Sequence, residues 1–170
     1  MIMTLNHLKS KVSIMVIALF LIAGCQSTAS RGPRLAIYLV REPSALLENI
    51  KLAETPLLTD KDIVSYNWEE HRIVFTNEGF KKLPTSTEVG VGGKHFVLVV
   101  DGKRCYLGAF WTGISSMSCP YPVIDVMRAG NNIATIQRAY PQSQFGVGDD
   151  PRPNKRLKQV LTELKKLTIR

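Results

Sequence analysis

The chain has 170 residues, 45% of them hydrophobic and 21% charged, and its 22 basic and 14 acidic residues give a formal net charge of +8. This length predicts one domain with a core that buries roughly two-thirds of the unfolded surface. The sequence contains neither a Cys-x-x-Cys nor a His-x-x-x-His pair, so we expect no metal site. Nothing in it indicates a cofactor.

The positive charge is concentrated near the C-terminus. Residues 152–170 carry seven basic residues and one acidic residue, Glu163, whereas residues 25–151 carry thirteen of each sign. The basic character therefore belongs to one C-terminal element and not to the whole domain.

The N-terminal segment is typical of an export signal. Lys9 and Lys11 precede a mostly apolar run of 12 residues at positions 12–23. A basic start followed by a short apolar run marks a secretory signal, and a membrane-spanning helix needs about 20 apolar residues. We therefore expect residues 1–24 to be a removable signal peptide.

The end of that run, Ile22-Ala23-Gly24-Cys25, resembles the lipobox of bacterial lipoproteins. The resemblance implies that Cys25 becomes the first mature residue and carries a diacylglyceryl group and a further acyl chain such as palmitate. Two or more chains anchor a protein stably. We expect a lipoprotein on the extracytoplasmic side of the cell membrane or the outer membrane. An ordinary signal peptide with an accidental cysteine is the alternative.

Residues 25–33 are small and polar and end in Gly32-Pro33, which predicts a flexible tether. Residues 34–170 form the predicted domain. Strands are predicted at residues 35–40, 63–68, 72–76, 95–100, 103–110, 122–127 and 133–140. Helical turns or helices are predicted at 45–50, 59–62, 77–83 and 154–167, with a mobile loop at 85–94. This order indicates an α+β fold with a mostly antiparallel sheet.

Two predicted hairpins carry more detail. Asp101-Gly102 lies between two apolar runs and predicts a type I′ turn. Both faces of this hairpin are apolar, so we expect it at the centre of the sheet with helices over at least one face. In the hairpin of residues 63–76, alternation predicts that Val64, Tyr66 and Trp68 face the core.

The C-terminal helix is predicted to be amphipathic. Its apolar stripe is Leu157, Val160, Leu161, Leu164 and Leu167. The opposite, basic face is Lys155, Arg156, Lys158, Lys165 and Lys166. Such a face is either solvated or lies on anionic lipid or an anionic wall polymer.

The order of motifs carries a second resemblance. Residues 59–64, a strand with Trp68, residues 73–83, residues 96–103 and Pro122-Val123-Ile124 follow one another as in the periplasmic head subdomain of the SecDF protein-export accessory complex. The similarity covers about residues 55–126 and implies an α+β fold and an extracytoplasmic role, without the membrane-embedded motor. Residues 100–102, 106–111 and 115–118 also resemble a set of small lipoproteins to which no activity is attached.

Cys105 and Cys119 are a candidate disulfide. They are an even pair in an oxidising compartment. Their positions differ by 14 residues, and a disulfide that closes a loop of this length stabilises a fold by about 3 kcal/mol. The alternative is two buried free thiols.

No catalytic motif is evident. His71 and His95 are isolated in sequence, and no Gly-x-Ser-x-Gly elbow surrounds the serines of residues 115–118. Asp149 and Asp150 lie in a glycine loop with too few oxygen ligands for calcium. An envelope hydrolase stays as an alternative, which a pocket joining a histidine to both aspartates would favour.

The loop of residues 110–121 is the predicted recognition site because Trp111, Met117 and Tyr121 lie on it. The alternative is a loop that folds back over the sheet edge. The sequence therefore predicts a non-catalytic envelope module, binding or structural, for a protein or an anionic polymer. Nucleic acid is not an expected partner.

Overall fold

A computed structural model describes residues 32–42 and 44–169; the predicted signal, Cys25 and most of the tether lie outside the described residues. The strands are β1 (Leu35–Glu42), β2 (Lys51–Leu52), β3 (Leu58–Thr59), β4 (Ile63–Asn67), β5 (Arg72–Phe75), β6 (Lys94–Val100), β7 (Lys103–Trp111), β8 (Val123–Asp125), β9 (Ile133–Gln137) and β10 (Leu167–Thr168). The helices are α1 (Asn77–Lys81), α2 (Ser86–Val89) and α3 (Lys155–Glu163), with 3-10 turns at Leu47–Asn49, Asp60–Asp62 and Ser143–Phe145.

The strands form one sheet in the order β10-β4-β5-β9-β8-β7-β6-β1-β2, with β3 also beside β1. Only the β10–β4 and β7–β8 pairs are parallel, and the other described pairs are antiparallel. The predicted α+β class with a mostly antiparallel sheet is therefore confirmed. Within the described ranges, no helix is both long and apolar enough to cross a bilayer.

The β6–β7 hairpin lies at the centre, as predicted. Asp101 and Gly102 have φ values of 46° and 71°, the left-handed pair that a type I′ turn requires. The register then shifts, because Leu98 faces Tyr106 while Val99 faces Arg104. Cys105 is thus an extra residue without an opposite partner, which makes a β-bulge.

Alternation along β7 separates two apolar clusters. Phe110 belongs to the main core, where its ring lies 5.0 Å from that of Phe96. Ala109 and Trp111 point to the opposite face and pack there in a smaller cluster. Helix α3 covers the main face with its buried side chains, Leu157, Val160 and Leu161.

Two local expectations are wrong. Val64 is 52% exposed, because the β4–β5 register shifts between Ile63 and Ser65 and turns Ile63 inward instead. Within the predicted mobile loop of residues 85–94, α2 forms behind a reciprocal capping box of Thr85 and Glu88.

The C-terminal helix is shorter than predicted. Lys165 has a φ of 56°, and the Lys166 N–H donates to the Leu161 carbonyl at 2.8 Å. This left-handed ending reverses the chain, so Leu167 and Thr168 pair with β4 as a parallel strand. Lys165 and Lys166 therefore do not lie on the helix.

Close packing at Gly79 supplies a test of this fold. A Cβ atom at Gly79 would lie 2.4 Å from the carbonyl oxygen of Asp62, although alanine favours a helix by about 1 kcal/mol. We expect Gly79→Ala to lower the free energy of unfolding by about 1–3 kcal/mol in denaturant titrations. Gly92→Ala is the control, because the space around Gly92 is open. Equal stability of the Gly79 variant and the parent would contradict the packing.

Candidate binding groove

A gap opens in the sheet beside β7. Strand β8 pairs with β7 only from Ala109 to Trp111, and no described strand lies on that side of residues 103–108. The preceding chain contains Pro120 and Pro122, which have no N–H to donate to a ladder. The two segments therefore separate as soon as the Ala109 N–H has donated to the Pro122 carbonyl at 2.9 Å.

The segment that leads into β8 pairs with a different part of the chain. Cys119 and Tyr140 exchange two main-chain hydrogen bonds of 3.0 Å each. This pairing draws residues 119–121 away from β7 and holds the gap open.

The gap is a groove of about 370 Å³, a size within the usual range of ligand pockets. Four segments line it. They contribute Ser44, Ala45, Leu47 and Ile50; Cys105, Tyr106 and Leu107; Pro120, Tyr121 and Pro122; and Val147, Asp149 and Pro151. Most of the lining residues are apolar, but polar atoms contribute about half of the exposed lining surface, and Asp149 is the one acidic group.

Hydrogen bonds hold the walls in place. The Arg104 guanidinium donates to the Leu47 carbonyl, and that of Arg138 donates to the Gly148 carbonyl at 2.7 Å. Arg152 donates to the Ile136 carbonyl at 2.8 Å. The groove is therefore largely preformed, which lowers the entropy cost of binding.

Exposed apolar surface lies at the rim. Val147 is 79% exposed and Tyr121 is 39% exposed. The Tyr121 ring meets the His95 ring edge-on, with centroids 6.1 Å apart. Aromatic and aliphatic groups at a preformed cleft are the usual anchors of a binding partner.

The structure corrects the predicted recognition loop. Trp111 is only 2% exposed and packs against Tyr140, with ring centroids 5.8 Å apart. The loop of residues 110–121 is held against the preceding loop by Ser115, whose hydroxyl donates to the Val91 carbonyl at 2.6 Å. Met117 is 54% exposed but does not line the groove, so Tyr121 is the only one of the three predicted residues that does.

The predicted disulfide between Cys105 and Cys119 is not present, because both thiols are free. The bulge turns Cys105 against the main cluster, whereas Cys119 is buried in the cluster on the opposite face. Burial raises the pKa of both thiols, which makes them poor nucleophiles at neutral pH.

Exposure distinguishes the two thiols experimentally. Cys105 is partly exposed in the groove and Cys119 is buried. We expect N-ethylmaleimide to modify Cys105 slowly in the folded protein and Cys119 only after denaturation, as followed by peptide mass spectrometry. Two unmodified cysteines joined in one peptide, lighter by two hydrogens, would instead establish the disulfide.

The predicted basic face is dispersed. Lys155, Arg156 and Lys158 are exposed on α3, and Lys158 lies 5.2 Å from the centre of the Trp68 ring. Lys165 lies in the turn after the helix, and the Lys166 ammonium donates to the Ile63 carbonyl. The five residues therefore do not form one helical surface.

Of the residues named for a hydrolase, His71 and Asp150 are close enough to influence each other electrostatically, but the whole set does not meet in one pocket. The Tyr66 hydroxyl is 2.8 Å from Nδ1 of His71, whose pKa is lowered by burial. Arg152 holds both carboxylate oxygens of Asp150 and lowers its pKa. Asp149 lines the groove, where no histidine is present. In the described part of the chain, no group of three or more acidic, histidine or cysteine side chains could hold a metal ion.

Comparison of the chain with protein-family models, with curated proteins and with solved structures finds no match. The groove itself is thus the basis for a functional assignment. Sequence reasoning did not identify Leu47, Leu107 and Val147 as part of a site. The available signal was Pro120-Tyr121-Pro122, since two prolines so close together cannot join a ladder.

Proposed function

We propose that this protein is a lipid-anchored, non-catalytic binding module of the bacterial envelope, which holds another envelope protein in the groove beside β7. The observation that carries the proposal is a preformed groove, lined mainly by apolar residues, with Val147 and Tyr121 exposed at its rim. A protein partner suits this lining better than an anionic polymer, because the basic side chains of α3 and of the following turn are dispersed.

The residues before the domain support the anchor. Ile22-Ala23-Gly24-Cys25 has the lipobox pattern, and Cys25 precedes Gly32 by seven residues. A fully extended chain of this length spans at most about 25 Å. The anchor therefore keeps the domain close to the lipid surface, so the partner is a protein found at that surface.

The position of the first strand of the domain also supports a groove close to the anchor. Leu35 pairs with Val100, which pairs with Lys103 on its other side. The N-terminus of the domain thus lies at the turn end of the central hairpin, only a few residues along β7 from Cys105 in the groove.

Crosslinking in cells tests the proposal. A photo-reactive amino acid at Val147 should yield an adduct with an envelope protein, because this side chain is 79% exposed beside the groove. The same label at Val64 is the matched control, since Val64 is exposed on β4, four strands away from β7. Replacing Cys25 by serine should abolish the adduct, because the protein then loses its anchor.

Three results would contradict the proposal. They are equal adducts from Val147 and Val64, adducts from Met117 but not from Val147, and an adduct that persists at full yield with Cys25→Ser. The second of these would move the binding surface to the loop of residues 112–118.

A further inference from the structure

The main chain of β7 is open to the groove. The Ala109 N–H points away from β6, because it donates to Pro122. Main-chain groups of alternate residues point to the same side of a strand. The N–H and C=O of Leu107 therefore point into the gap, where no described strand pairs with them.

The lining shows that the groove follows the strand edge. Tyr106 and Leu107 both line it, although the Tyr106 ring belongs to the main core. Successive side chains of a strand point to opposite faces. A groove that is lined by two successive residues therefore runs along the edge of the strand, between the two faces of the sheet.

We propose that the groove takes an extended peptide segment of the partner protein, which adds as a strand to the open side of β7 along residues 103–108. This inference rests on the proposed function and specifies the form in which the partner binds. Strand addition supplies main-chain hydrogen bonds on one side and places alternate side chains against the flanking walls. Leu47 and Ile50 belong to one such wall, and Val147 and Pro151 to another.

The charged residues near the groove indicate the composition of the bound segment. Lys103 is exposed at the start of the open edge, and Arg156 is close enough to influence the Cys105 thiol electrostatically. Arg104 donates to a neutral carbonyl, and Asp149 is the one acidic group in the lining. The apolar residues of the walls favour a segment with apolar residues at alternate positions, and Lys103, which lies beside the groove, favours an acidic residue near it.

The chain's own N-terminal residues are a poor occupant. Residues 26–31 read Gln-Ser-Thr-Ala-Ser-Arg, with no large apolar side chain for the walls and with a basic residue in place of an acidic one. The groove is therefore assigned to another protein, and a synthetic peptide of residues 26–31 serves as a control.

Selection from a random dodecapeptide library displayed on phage, with the full-length protein in detergent micelles as target, supplies the probe. The best peptide is synthesised and its affinity measured by fluorescence anisotropy. Val147→Arg should weaken binding by at least about tenfold and Val64→Arg by less than about twofold. Both changes are at exposed valines, so the fold should survive in each.

Methylation of peptide nitrogens separates strand addition from other modes. Only alternate residues of an added strand donate to β7. We expect N-methylation of one alternating set of central residues to weaken binding by at least about tenfold, and of the other set by less than about threefold.

The contrary results are distinct. Tolerance of both methylated sets, with Val147→Arg still disruptive, would refute strand addition and leave groove binding in place. Equal loss from both sets would also refute strand addition. Peptides insensitive to Val147→Arg, or no enriched peptide, would refute strand addition at this groove, while the crosslinking in cells tests the proposed function separately. Comparable binding by the peptide of residues 26–31 would assign the groove to the chain itself.

Discussion

The absence of N–H groups at Pro120 and Pro122 is the constraint on which the candidate site depends. β7 occupies the centre of the sheet, and a central strand normally pairs along both sides. Here the second side is paired only from Ala109 onward, since the chain that approaches it cannot donate earlier. Cys119 then pairs with Tyr140, and the two segments remain apart.

The rest of the fold makes this gap stable. The turn at Asp101 and Gly102 fixes the register of the central hairpin, and α3 buries one face of the sheet. Arg34 connects the start of the domain to this frame through Asp101 and Glu163, at 2.8 and 2.6 Å. Exposed ion pairs contribute little energy each, but these join the chain entry, the hairpin turn and the end of the helix.

Much of the fold could be predicted from local patterns. The Asp101-Gly102 turn, the strands around it and the stripe of Leu157, Val160 and Leu161 were all expected, because each depends on residues close in sequence. Val64 was expected in the core but is exposed, because a register shift between Ile63 and Ser65 interrupts the alternation of inward and outward side chains. No feature of the sequence indicates this shift. The early end of α3 was missed because a lysine, rather than a glycine, adopts the left-handed conformation there.

The site was less predictable than the fold. Trp111 was expected at a surface, yet alternation in the longer β7 places it inside the smaller cluster. The groove joins segments near residues 45, 106, 121 and 149, and only tertiary structure brings them together. Free thiols replace the expected disulfide because a bulge turns Cys105 toward the main core cluster, away from Cys119.

Amide hydrogen exchange along β7 in the unliganded protein tests this account most directly. The Leu107 amide should exchange at least about tenfold faster than the amides of Tyr106 and Ala109, because it alone of the three points into the open groove. Equal protection of all three amides would mean that the edge of β7 is already paired or covered, and the groove would then offer no main chain to a partner.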